Sequence, residues 1–131
     1  MLYTKCIFKD VESYDGIRIS VMSRHTLNDG VTPDERITST TYNEWLKELA
    51  PPAKLIGDYY KRGLTWPEYE TRYRQFLQTP EAASKVNDLA SQAIEKDITL
   101  LCVEETPEKC HRRLLAEECL VYQPDLKLEH R

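Results

Sequence analysis

Glycine is scarce in this chain, with four residues in 131. None stands in a Gly-x-Gly-x-x-Gly, Walker or Gly-x-Ser-x-Gly arrangement, which excludes the glycine-rich phosphate loops and the nucleophile elbow. No wholly apolar run is longer than Leu100-Leu101-Cys102-Val103. That is far too short to cross a bilayer, so no membrane partner is expected. The opening residues, Met1 to Asp10, carry charge early and have no long apolar core. They do not read as an export signal, and a soluble cytoplasmic protein is expected. An excess of positive charge is missing as well. The formal net charge of −4 argues against nucleic acid as a partner. No Cys-x-x-Cys occurs, so the four cysteines (Cys6, Cys102, Cys110 and Cys119) are expected to be reduced thiols rather than a redox pair or disulfides.

What is present describes one compact, polar α/β domain over residues 1–131, long enough to bury a core without staples. Residues 2–8 and 17–22 read as strands, the second with clear period-two alternation. The short connector ending in Asp15-Gly16 favours antiparallel pairing of the two. Residues 23–40 are rich in Ser, Thr, Asp and Pro and read as a long surface loop. Four helices follow by their punctuation. Thr41 with Glu44 opens the first, which Pro51-Pro52 closes. Leu55, Ile56, Tyr59 and Tyr60 mark the second, which Gly63 ends. Thr65 with Glu68 opens the third ahead of Tyr69, Tyr73, Phe76 and Leu77. Thr79-Pro80 opens the fourth, which runs to about Lys96.

Residues 98–103 then read as a strand buried on both faces. Thr106 and Pro107 supply the start of a fifth helix carrying Leu114, Leu115 and Ala116 inward, and the alternating tail, Leu126 to His130, fits an edge strand. The expected architecture is a small three-layer α/β sandwich, with a mixed, mostly parallel sheet flanked by about five helices. Nothing in the pattern sets an oligomeric state.

Chemistry concentrates where that last buried strand meets the fifth helix. Cys110 is the candidate nucleophile, because a helix N-terminus with Lys109 and Arg112 nearby favours a thiolate. His111 is the candidate proton shuttle. In an α/β sheet ligands collect beyond the carboxyl ends of the strands. Arg24 and His25, Cys102 and Glu104, and Arg112 are therefore the candidate ligand-binding set, and a small anionic molecule is the ligand class they suit. The plainer alternative has Cys110 packed inward with Leu114, Cys102 in the core, and Arg112 paired on the surface with Glu108 or Glu117.

Two further chemistries fare poorly. A cysteine phosphatase loop needs an arginine six residues after its cysteine, but Glu108 and Ala116 stand at those positions. Cys102, Cys110, His111 and His25 are zinc-type ligands at none of the usual spacings, and neighbours on a helix point about 100° apart. No metal or other cofactor is expected. The eight tyrosines and two tryptophans sit mostly at helical spacing and read as packing rather than base stacking.

Cys102-Val103-Glu104, followed by Cys110-His111-Arg112 and an apolar helix, resembles the signature end of the domain-of-unknown-function 488 family. Asp15-Gly16-Ile17-Arg18-Ile19, Trp45-Leu46-Lys47-Glu48-Leu49-Ala50-Pro51 and the Tyr69-to-Leu77 helix resemble one branch of it. Cys6-Ile7-Phe8 stands where many members carry Gly-His-Ser, and Met22-Ser23-Arg24 keeps only the arginine of the usual Asp-Val-Arg. The resemblance implies a compact α/β domain with a cleft near the Cys-His-Arg helix, and no particular activity. The functional expectation is an anion pocket at that helix, serving a thiol-dependent enzyme or a non-catalytic binding or regulatory module.

Overall fold

The computed structural model describes residues 1–131. Five strands, β1 (Leu2–Cys6), β2 (Ile17–Ser20), β3 (Glu44–Trp45), β4 (Ile98–Cys102) and β5 (Leu128–His130), form one sheet in the order β3-β2-β4-β1-β5. Every pairing is parallel. The helices are α1 (Ala53–Lys61), α2 (Trp66–Phe76), α3 (Pro80–Glu95) and α4 (His111–Tyr122), with single 3-10 turns at Ser13–Asp15 and Lys47–Leu49. The fold is α/β, with four α-helices rather than five. No helix is long and apolar enough to cross a membrane.

Three local expectations give way. β1 and β2 do not pair with each other, because β4 lies between them, with Ile98 opposite both Leu2 and Ile17. The connector reaches across the start of β4 through Gly16, whose φ is +65° and whose Cα lies so close to the Asp97 carbonyl that a Cβ there would overlap it. Only glycine fits both that dihedral and that gap. The helix expected over 41–50 is instead β3 and a 3-10 turn. The Arg18 amide donates to Asn43 Oδ1, and the Leu46 amide donates to the Ser20 carbonyl. A helix that short has little stability of its own, so pairing with the sheet edge prevails. Finally, the last helix begins at His111, not at Thr106-Pro107, and residues 103–110 form a loop.

Other signals hold. Thr65 caps α2, accepting from the Glu68 amide at 3.3 Å while Glu68 Oε1 accepts from its hydroxyl. On the exposed side of α2, Glu70 pairs with Arg74, and Arg72 reaches Asp58, which also binds Lys54 and Arg62 and ties α1 to α2.

The two faces of the sheet bury different chemistry. Leu2, Ile19, Val21, Ile98, Leu100 and Cys102 meet the apolar sides of all four helices in one cluster. The opposite face carries Lys5, Arg18 and Thr99, buried under the Ser13–Asp15 turn. There Asp15, fully buried, accepts from Lys5 Nζ at 3.0 Å and from Arg18 Nη1 at 2.6 Å, and its carbonyl accepts from the Thr99 hydroxyl. Burial alone would raise the Asp15 pKa. The Glu12 amide, Lys5 and Arg18 outweigh it and hold the carboxyl below its usual range.

Removing one member of a buried ion pair leaves an uncompensated charge, so Asp15→Asn should cost about 3–5 kcal/mol in urea unfolding at neutral pH. Because the folded pKa is depressed, the wild-type contribution is complete above the unfolded pKa of about 4 and is lost as pH falls through the folded value. The gap between wild type and variant should therefore narrow in acid, and a gap that widens below pH 4 contradicts this account.

Candidate functional site

The site forms where β4 ends and α4 begins. Cys102 is the last residue of β4, and Val21 follows β2 with its amide on the Leu101 carbonyl. Cys110 is the N-cap of α4, with extended φ −136° and ψ 138° and no side-chain capping bond. Its side chain therefore does not follow the helical rotation, and Cys110 and His111 converge instead of diverging. The ligating atoms of Cys102, Cys110 and His111 all lie within 4.8 Å of one another.

His111 is fixed in its tautomer by a backbone group. Its Nε2 lies 2.7 Å from the Val21 carbonyl, which can only accept, so Nε2 carries the proton. In the neutral ring that leaves Nδ1 as the acceptor, 3.7 Å from Cys102 Sγ. The ring of Tyr73 packs edge-on against the imidazole at 5.6 Å.

Arg112 is fully buried without a carboxylate partner. Its Nη1 donates to the Glu104 carbonyl at 2.7 Å and to Cys110 Sγ at 3.3 Å, while Nε and Nη2 have no partner. The alternative surface pairing of Arg112 with Glu108 or Glu117 does not occur: Arg112 is buried, and Glu117 is held by Arg74 and Arg113.

The two thiols are inequivalent, and not in the expected sense. The neighbouring Cys110 sulfur lowers the Cys102 pKa despite burial, helped by the Val103 amide and the Arg112 charge. The nearness of Cys102, with burial, raises that of Cys110. Glu104 lies at the rim, where its Oε1 accepts from the Tyr60 hydroxyl at 2.9 Å. Desolvation and that carboxylate push the Tyr60 phenol well above its ordinary range.

Arg24 and His25 do not join this group. Arg24 is exposed, its guanidinium against Gly30, and it makes no hydrogen bond to the cluster. His25 hydrogen-bonds Ser20 Oγ at 2.7 Å and stacks on Trp45 at 3.9 Å. Ser20 and Val21 alternate across the sheet, so His25 serves the face opposite to His111. Burial and nearby Lys47 lower its pKa. A concavity of about 390 Å³ between Thr26–Asp29, Asp34, Arg36 and Val103 adjoins the end of β4, but none of the four clustered residues lines it. Two contributors were illegible from residue types alone: the Val21 carbonyl, and Tyr73, which helical spacing marks only as core.

The family of this chain can now be stated. Residues 2–123 match the family DUF488-N3a, described as the active DUF488-N3 subclade, so the chain belongs to the DUF488 family. Comparisons with curated proteins and with solved structures give no match.

The assigned tautomer is directly measurable. Long-range proton–nitrogen NMR correlation should show His111 protonated at Nε2 and bare at Nδ1, and the reverse pattern would remove Nδ1 as a base toward Cys102.

Proposed function

We propose that this protein binds a small anionic ligand at the start of α4 and acts on it through a thiol. One observation carries the reading: Arg112 is fully buried with two guanidinium nitrogens unpartnered. A buried cation without a counter-charge is costly, and an anion beside the helix N-terminus offsets that cost. In this reading Arg112 holds the ligand, and the Glu104 carbonyl fixes the guanidinium. Cys102 is the nucleophile in place of Cys110, since it is Cys102 that His111 Nδ1 faces. As Cys102 Sγ bonds the electrophilic atom of the ligand, its proton passes to Nδ1 and then leaves with the departing group. The description of the subclade as active accords with such chemistry. The free cysteines suit a reducing cytoplasm.

Burial favours a second reading. Cys102, Cys110 and His111 are each under a tenth exposed, which suits a non-catalytic binding or regulatory module that holds its ligand without turnover.

Arg112→Met tests the shared claim. It should weaken inorganic phosphate or sulfate in a calorimetric titration by about tenfold or more, the worth of a charged hydrogen bond. The melting temperature should hold or rise, because an apolar chain of similar length replaces an unpaired buried charge. Unchanged affinity defeats the anion pocket. Iodoacetamide separates the two readings: Cys102 labelling faster than a free thiol supports catalysis, and slower labelling leaves the binding module.

A further inference from the structure

The cluster that frames the thiol also has the donor set of a metal centre. We propose that Cys102, Cys110 and His111 form a three-ligand site for a thiophilic divalent cation of the zinc class. An ion bound there holds both thiols out of reaction. The site itself stands on geometry; its regulatory consequence rests on the thiol reading above.

Two thiolates and an imidazole are the ligands such ions prefer over oxygen-liganded cations. In a tetrahedral zinc site, metal–sulfur and metal–nitrogen bonds of about 2.3 and 2.1 Å place the ligand atoms about 3.6–3.8 Å apart. Cys102 Sγ and His111 Nδ1 already stand at 3.7 Å, and all three donor atoms fall within 4.8 Å of one another. Closing the set therefore requires shifts of about 1 Å or less at the third ligand. The objection from sequence was the angle between neighbouring helical side chains. It does not apply, because Cys110 lies outside the helical backbone.

The surroundings match what a ligating histidine needs. His111 presents Nδ1 to the thiols and donates its other N–H to a backbone carbonyl, the outer contact that fixes orientation and raises ligand basicity. Arg112 donates to Cys110 Sγ, a contact strengthened when that sulfur is a thiolate. Three protein donors leave a fourth position for water or for an anion. On binding, the Cys102 and Cys110 protons are released to solvent and two sulfur–metal bonds form. No oxidation state changes.

The test uses the full, reduced chain stripped of metal. Titration with Zn2+ against a chromophoric chelator should give one ion per chain. Co2+ should give the strong visible bands of a tetrahedral site and sulfur-to-cobalt charge transfer of two-thiolate intensity. Cys102→Ser and Cys110→Ser should each weaken Zn2+ binding at least 100-fold and His111→Gln at least tenfold, while Cys119→Ser leaves it unchanged. Should a variant fail to fold, the two-thiolate cobalt intensity of the wild type still decides. Absent cobalt bands, or Zn2+ binding that survives in the folded Cys102→Ser, Cys110→Ser double variant, overturns the site. Cobalt bands absent while Cys102 of the metal-free protein labels rapidly overturn the metal site alone. Bound metal over a metal-free Cys102 that stays inert overturns the thiol reading alone.

Discussion

The insertion of β4 between β1 and β2 is the constraint on which the rest of the molecule depends. It buries the most apolar strand on both faces, as parallel strands require. It also brings the end of β4 beside the extension of β2, so that Cys102 and the Val21 carbonyl flank His111. The polar network beneath it serves the same end. Asp15 ties Lys5 on β1 to Arg18 on β2 and, through its own carbonyl, to Thr99 on β4. Gly16 then lets the chain pass the start of β4 at close range. One acidic side chain and one glycine thus hold the three central strands together from the side away from the helices.

The sheet separates two ways of burying polar groups. On the Asp15 side, charges of opposite sign meet and are hydrogen-bonded. On the helix side, Arg112 sits among thiols and carbonyls with part of its guanidinium unmatched. The first arrangement fixes strand order; the second leaves part of a buried charge without a partner. The proposed anion and the proposed metal-bound ligand address that same electrostatic problem.

Much of this was legible in the sequence, because it rests on local chemistry. Thr65-x-x-Glu68, Thr79-Pro80 and the continuous apolar run of β4 each name their element directly. Asp15-Gly16 was misread because a turn signal reports that the chain bends, not which strand lies beside it afterwards. Thr41 with Glu44 looked like a cap, but Asn43 and Leu46 found partners on β2, a contact no local window contains. At the site, Cys102, Cys110, His111 and Arg112 were all recognisable by type. Their roles were not, since these depend on where α4 starts. Three residues lie between Pro107 and His111, and that displacement moves Cys110 off the helix and turns it toward Cys102 and His111.

The uncapped start of α4 has a consequence for how this protein can change. An N-cap is a place where serine, threonine, aspartate or asparagine satisfies free amides, and going without one forfeits about 1 kcal/mol. Cys110 accepts no such amide, so the helix carrying the site begins with a deficit that one common substitution would repair. Serine at position 110 would offer the missing oxygen to the free amides, but it would also remove the sulfur that accepts from Arg112. Helix stability and the thiol cluster therefore make opposite demands on this one position.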